Sequence, residues 1–246
     1  MNNIGIIILA AGKGKRMQSD LPKVLHELNN KPLIEYVVSL VEKLNIKPAV
    51  VVSEDGLVKK YLGDRVDYVI QAERLGTGHA VMQAENLLKN KVEKVVVLYG
   101  DMPFLKPESV VNLVGINEKE NNKITLMITR VPNFESDYKE FYDFGRIVRS
   151  SPSVKTQGKI QKIVEKKDAS GEELEIKELN TGYFCFESDW LWNNLKKLKN
   201  NNQAEEYYLT DLVGQAIASG DRVGSVEILP EEAIGINTRE HLEKLN

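Results

Sequence analysis

Two stretches of the sequence concentrate residue types that handle phosphate or a metal ion. Leu9-Ala10-Ala11-Gly12-Lys13-Gly14-Lys15-Arg16-Met17 leaves an apolar run through two small residues and two glycines, then places three cations within four positions. Such a loop lets backbone come close to a planar base or a phosphate. It is not a Walker loop, because Gly-x4-Gly-Lys-Ser/Thr cannot be laid on it. It is not the dinucleotide fingerprint, because Met17 stands where a third glycine belongs. Read alone, it is equally a surface turn with solvated lysines. The second stretch, Gly100-Asp101-Met102-Pro103, sets a carboxylate just beyond an apolar run, where a metal-binding Asp or a turn-capping Asp would sit. Asn237 offers another oxygen from a distant segment, or a cap for a last helix.

The elements that position these residues follow from periodicity. Short β-branched runs at 4–9, 49–52, 66–70 and 95–99 alternate with helical patterns at 33–44 and 80–88. This βαβ alternation predicts a parallel sheet, with Ile4–Leu9 and Val95–Leu98, apolar throughout, as strands covered on both faces. Leu33, Val37, Leu40, Val41 and Leu44 form one helical stripe after Pro32. Both phosphate-handling stretches directly follow the two central strands, at the carboxyl ends where such sheets bind ligands.

From about residue 124 the pattern becomes strands separated by polar loops, at 124–131, 145–149, 159–164 and 181–186. Helices are predicted at 188–198 and 205–219, a strand at 223–229 and a short helix from Thr238. We expect one domain over 1–246, with a nucleotide-binding half (1–123) and a sugar-binding half (124–246).

Composition sets limits. The 246 residues are 42% hydrophobic and 28% charged, an ordinary globular balance. The formal net charge of −3, with Lys and Glu interspersed, argues against a nucleic-acid-binding surface, so any anion must be met locally. Cys185, the only cysteine, sits in an apolar run and reads as a small buried hydrophobe. The first nine residues lack a secretory pattern and no apolar run reaches the length of a membrane span, so a cytoplasmic protein without a membrane partner is expected.

With Ser19-Asp20-Leu21-Pro22-Lys23, the first loop resembles the signature L-A-A-G-x-G-x-R-M-x-S-D-x-P-K of sugar-nucleotide pyrophosphorylases, specifically bacterial N-acetylglucosamine-1-phosphate uridylyltransferases. Further matching motifs follow in order: Gln71 to Ala80, Tyr99 to Pro103, Gly145 to Ile147, Ile163 to Ala169, Asn180 to Gly182, Glu206 to Asp211 and Gly235 to Asn237. The resemblance spans essentially the whole chain. It implies an α/β, Rossmann-like nucleotide-diphospho-sugar transferase fold, a mostly parallel mixed sheet flanked by helices with a sugar-binding lobe.

The implied reaction is in-line attack of a sugar-phosphate oxygen on the α-phosphorus of UTP, with pyrophosphate leaving and Mg²⁺ as cofactor. By resemblance, Leu9, Ala10, Ala11 and Gly12 cradle the nucleotide, Arg16 and Lys13 meet the triphosphate, and Lys23 reaches the reacting phosphates. An arginine forks across phosphate oxygens, whereas lysines act as point charges. Lys15 is expected to be a solvated loop charge. Gln71, Gly76 and Thr77 resemble the uracil-reading region, where an amide can donate and accept; Gly76 and Gly78 would permit close approach, and Thr77 would also cap a helix. His79 is expected to be structural or a neighbour of the site. Asp101 and Asn237 are the expected Mg²⁺ ligands, with water and phosphate oxygens completing the shell. Gly145, Glu165 and Asn180, with Tyr99, Gly100, Tyr208 and Thr210, are expected at the sugar.

Members commonly continue into a left-handed β-helix that acetylates glucosamine 1-phosphate. The sequence ends at Asn246 without such a repeat, so neither acetyltransferase activity nor the trimer that domain organises is expected, and the oligomeric state is left open. A second departure is the lengthened stretch 132–144, carrying Phe134, Tyr138, Phe141, Tyr142 and Phe144. It could reshape acceptor choice, cover the site, form a partner surface or pack locally. Competing readings are a pyrophosphorylase for another sugar 1-phosphate or for dTTP, and a non-catalytic nucleotide-sugar sensor on the same fold.

Overall fold

A computed structural model describes residues 3–12, 14–150 and 158–246. In the first half, β1 (Ile4–Leu9) is followed by a two-strand ribbon, β2 (Glu27–Leu28) and β3 (Lys31–Pro32), and by α1 (Leu33–Lys43). Then come β4 (Ala49–Val52), α2 (Leu57–Leu62), β5 (Asp67–Ile70), α3 (Thr77–Met82), α4 (Glu85–Leu88), β6 (Lys94–Tyr99) and α5 (Pro107–Lys119). In the second half, β7 (Ile124–Arg130), β8 (Gly145–Arg149), β9 (Ile160–Val164), α6 (Gly171–Leu174) and β10 (Glu178–Glu187) precede α7 (Ser188–Leu195). Last are α8 (Asp211–Ala218), β11 (Val223–Glu227) and α9 (Arg239–Leu245).

Among the described residues, nine strands form one sheet with the path β11-β7-β10-β6-β1-β4-β5, and β8 and β9 branch from β10. β1 pairs in parallel with β4 and β6, β4 with β5, and β11 with β7; β10 runs antiparallel to both β6 and β7. This is the mostly parallel mixed sheet expected from the sequence.

Alternation on the central strands splits the core. Ile4, Ile6 and Ile8 of β1 face a cluster filled by Ile34, Val37, Val38 and Val41 of α1 and by Val110, Leu113 and Val114 of α5. Ile7 faces the opposite cluster, with Ala80 and Val81 of α3, Leu191, Trp192 and Leu195 of α7, and Leu212 and Val213 of α8. Cys185 is a fully buried thiol in the first cluster. A smaller cluster joins Met17, Leu28, Leu33, Ile236 and Leu242, so α9 packs under the first loop. Met17, the residue that breaks the dinucleotide pattern, is 1% exposed and anchors that loop from below.

Two helical expectations change and one helix was missed. The 80–88 pattern divides into α3 and α4. The 205–219 pattern yields a helix only from Asp211, because the preceding residues pair elsewhere: Tyr207 N–H donates to Leu75 O and its carbonyl accepts Gly78 N–H, both at 2.8 Å. α5 was not read from the sequence, although Pro107 opens it and Val110, Leu113 and Val114 line its buried face. No helix is long and apolar enough to cross a membrane among the described residues.

Candidate active site

The strand order places β1 between β4 and β6, so the loops leaving β1 and β6 open side by side at the carboxyl edge. Between them and the 71–77 loop lies a cleft of about 300 Å³, lined by Leu9, Ala10, Ala11, Gly12, Lys23, Val24, Gln71, Arg74, Gly76, Thr77, Ala80, Tyr99, Asp101 and Glu206. That size is at the lower end of small-molecule sites. Nine of the residues named from the sequence for the nucleotide, its reacting phosphates or the metal thus line one cleft. Lys13 lies outside the described residues.

Lys23 is the centre of the charged floor. Its Nζ donates both to Asp101 Oδ2 and to Asn237 Oδ1, joining the loops after β1, after β6 and before α9. The side chains of Lys23 and Asp101 are 12% and 18% exposed, recessed but open to the cleft. Ile236 N–H donates to Asp101 O at 3.0 Å, which locks the last two loops together. A carboxylate oxygen and an amide oxygen therefore converge on one cationic head. This donor set suits a hard, oxygen-seeking cation such as Mg²⁺, with phosphate and water supplying the other ligands. No group of three His, Cys, Asp or Glu side chains suited to a metal occurs among the described residues, so an ion here would lean on its substrates.

The two kinds of glycine in this region answer to different neighbours. At Gly12 a Cβ would meet nothing within 4 Å, leaving open space toward the cleft. At Gly76, with φ +103°, a Cβ would lie 2.7 Å from Tyr207 O, and at Gly78 one would lie 2.6 Å from Leu198 Cδ1. Gly76 and Gly78 admit the 206–207 backbone rather than a base. Thr77 also departs from expectation: it makes no cap bond to α3, and its hydroxyl accepts Leu209 N–H at 3.1 Å. Gln71 is 5% exposed and spends its NH₂ on Gly76 O and His79 Nδ1, so its carbonyl is the group left to meet a base. His79 is held between the amides of Gln71 and Gln83, a structural setting.

Arg74 and Glu206 line the cleft and were not singled out from the sequence. Arg74 Nε donates to Ala11 O at 2.6 Å, tying the 71–77 loop to the loop after β1. Both residues lay within matching motifs, but nothing in their own spacing marked them.

Arg16 is absent from the cleft wall. It rests on an exposed turn, Nη1 3.7 Å from Asp143 Oδ2. Gly100 has a packing role: a Cβ there would strike Ile34 Cδ1 at 2.7 Å, so this glycine lets β6 pack on α1.

The remaining residues named for the sugar gather beyond Tyr99. Gly145 pairs with Asn180 across β8 and β10, and a Cβ on Gly145 would lie 3.4 Å from Glu165 Oε2. Thr210 Oγ donates to Glu165 Oε1 at 2.9 Å. Between Asn180 and Phe184 the β10 register shifts; there Gly182, at φ +85°, lies so close to the Tyr99 ring that a Cβ would stand 2.7 Å from it. Tyr99 thereby bridges the two groups. Burial, then the Glu165 and Asp101 charges, lift its hydroxyl pKa well above the usual value. Burial also raises Glu165, reinforced by Asp211, Asp168 and Glu206 and opposed by the Thr210 hydrogen bond, and it pushes Tyr208 up to about 12.

The 132–144 stretch packs locally. Phe141 is buried in the first core cluster, with Phe134, Tyr138 and Phe144 against it. Arg146, fully buried, stacks over Phe134 and Tyr142 with 4.9 and 5.2 Å to the ring centroids.

Residues 6–133 match the family model described as the MobA-like NTP transferase domain. The chain is 43% identical to the bifunctional protein GlmU of Acetivibrio thermocellus over 96% of its own length and 49% of that protein's. It is 39% identical to the GlmU of Enterococcus faecalis, over all of this chain and 52% of the relative, and 39% identical to that of Clostridium acetobutylicum, over 95% and 49%. The chain thus spans about half the length of the curated relatives it matches. A crystal structure of UDP-glucose pyrophosphorylase complexed with UDP-glucose superposes with a TM-score of 0.74 at 18% identity, covering 100% of this chain and 97% of that one, a likeness of fold.

Proposed function

The chain belongs to the MobA-like NTP transferase domain family, and we propose that it is a cytoplasmic enzyme transferring the uridylyl group of UTP to N-acetylglucosamine 1-phosphate. The observation that carries this reading is the convergence of Lys23 and Asp101, which line the cleft, with Asn237, bonded to Lys23 behind them. The relatives named GlmU support the choice of substrates.

In the reaction, an oxygen of the sugar phosphate forms a bond to the α-phosphorus of UTP as the bond to the β-phosphate oxygen breaks and pyrophosphate leaves. The attacking oxygen is already ionised, so no protein nucleophile is required. The work is to hold two polyanions in line and offset their charge. Asp101 and Asn237 would hold Mg²⁺, which supplies charge neutralisation at the phosphate oxygens when bound. Lys23, released from its two oxygens, meets the reacting phosphates, and Arg16 forks across the triphosphate. The Gln71 carbonyl accepts from the uracil N–H. Gly145, Glu165, Asn180 and Thr210 bind the sugar's hydroxyls and acetamido group.

The test is pyrophosphate release with Mg²⁺, scanning UTP and dTTP against N-acetylglucosamine 1-phosphate and glucose 1-phosphate, with EDTA as control. Turnover confined to UTP and N-acetylglucosamine 1-phosphate is expected. Another productive pair would move the enzyme to a sister specificity, and none would favour a sensor. Asp101→Asn or Lys23→Ala is expected to lower kcat about 10²–10³-fold with far-UV circular dichroism unchanged, since both are cleft groups outside the core. Full turnover in either variant would sink the mechanism.

A further inference from the structure

The 132–144 stretch touches three segments that carry candidate ligand-binding residues. Glu140 lies against the imidazole of His241, four residues beyond Asn237. Asp143 accepts from Lys166 Nζ on Oδ1 at 2.6 Å, beside Glu165, and faces Arg16 Nη1 at 3.7 Å with Oδ2. One carboxylate therefore bridges the loop that carries Arg16 and the segment that carries Glu165.

Its mounting is rigid. Arg146 Nη2 donates to Tyr142 O at 3.0 Å and Nη1 donates to Phe144 O, so a single buried guanidinium holds the carbonyls on either side of Asp143. Lys166 also lies 4.6 Å from the Tyr142 ring centroid. Arg16, by contrast, sits on an exposed turn with its side chain 61% exposed, and Asp143 is 58% exposed. The backbone around Asp143 is held, and its carboxylate gives the nearer contact to Lys166, while Arg16 has the looser hold.

We propose that Asp143 is a positioning residue that parks Arg16 outside the cleft in the absence of nucleotide and yields it to the triphosphate. The proposal rests on the reading of Arg16 as a triphosphate ligand. An exposed pair at this distance is weak, whereas a triphosphate offers several charged oxygens for the same fork, so the exchange runs toward nucleotide. Lys166 keeps Asp143 occupied after Arg16 leaves.

The experiment is a double-mutant cycle on UTP binding, measured by calorimetry with Mg²⁺ and no acceptor, at low and physiological salt. Asp143→Asn is expected to tighten UTP binding up to about five-fold, most at low salt. In the Arg16→Ala background the same substitution is expected to change nothing. Unchanged or weaker binding by Asp143→Asn would overturn the proposal. So would an equal gain without Arg16, which would mark a general field effect. If the unaltered protein bound no UTP, the nucleotide reading itself would fall and take this proposal with it. If the protein bound UTP and Arg16→Ala left that affinity intact, only the role of Arg16 and its parking would fall.

Discussion

Gly12 and Gly76 lie on the same cleft, yet the sequence motif alone does not show that one faces ligand space and the other a carbonyl. Alanine at Gly12 has room, so Gly12→Ala is expected to keep stability within about 0.5 kcal/mol while raising KM for UTP. Alanine at Gly76 would combine a left-handed φ with contact on the Tyr207 carbonyl, and a loss of about 1–3 kcal/mol is expected. Thermal melting and nucleotide titration of the two variants separate these cases; equal behaviour would refute the distinction. The limits of the sequence lie at this scale. Ala10 to Gly12 and Asp101 were legible because they closely follow apolar strands, whereas Lys23 was named only through the family signature. Arg74 was not, because its value is a bond to Ala11 O across 63 positions. The packing role of Gly100 was not legible either, because its neighbour, Ile34, belongs to a helix the motif does not contain.

Among the elements, the second lobe shows how β8, β9 and β10 place an acid in a recessed spot. Burial and three acidic neighbours raise Glu165, so the folded protein holds its proton to higher pH than the unfolded chain does. The stability tied to this group is full below the ordinary carboxylate range and is lost as pH rises through the folded value. Glu165→Gln cannot ionise, and its carbonyl can still accept from Thr210. It is expected to melt above the unaltered protein at neutral pH and to match it near pH ~4. A variant that melts lower at every pH would contradict this. The lobe's strands were readable as apolar runs, but the bulge in β10 was not, since it depends on Gly182 meeting Tyr99 from another strand. The helical pattern at 205–210 failed for a related reason: its backbone groups are committed to Leu75 and Gly78, which outweighs local periodicity.

For the whole molecule, the proposed division at residue 123 would be one of labour and not of folding. β10 belongs to the second half yet is hydrogen-bonded to β6 of the first, and α7 and α8 share a core cluster with β1. We therefore propose a single cooperative unit over 1–246. Heat unfolding followed by near- and far-UV circular dichroism is expected to give one coincident transition, and two separated transitions would refute it. The insertion of β10 also fixes an order of events when the chain is made. β6 is synthesised about ninety residues before the strand that covers its second edge, with Val95, Val96 and Val97 at that edge. At the usual pace of translation the edge stands bare for roughly 5–20 s. For that interval the nascent protein presents an apolar, unpaired strand to its surroundings, the kind of surface that invites wrong partners and that chaperones cover.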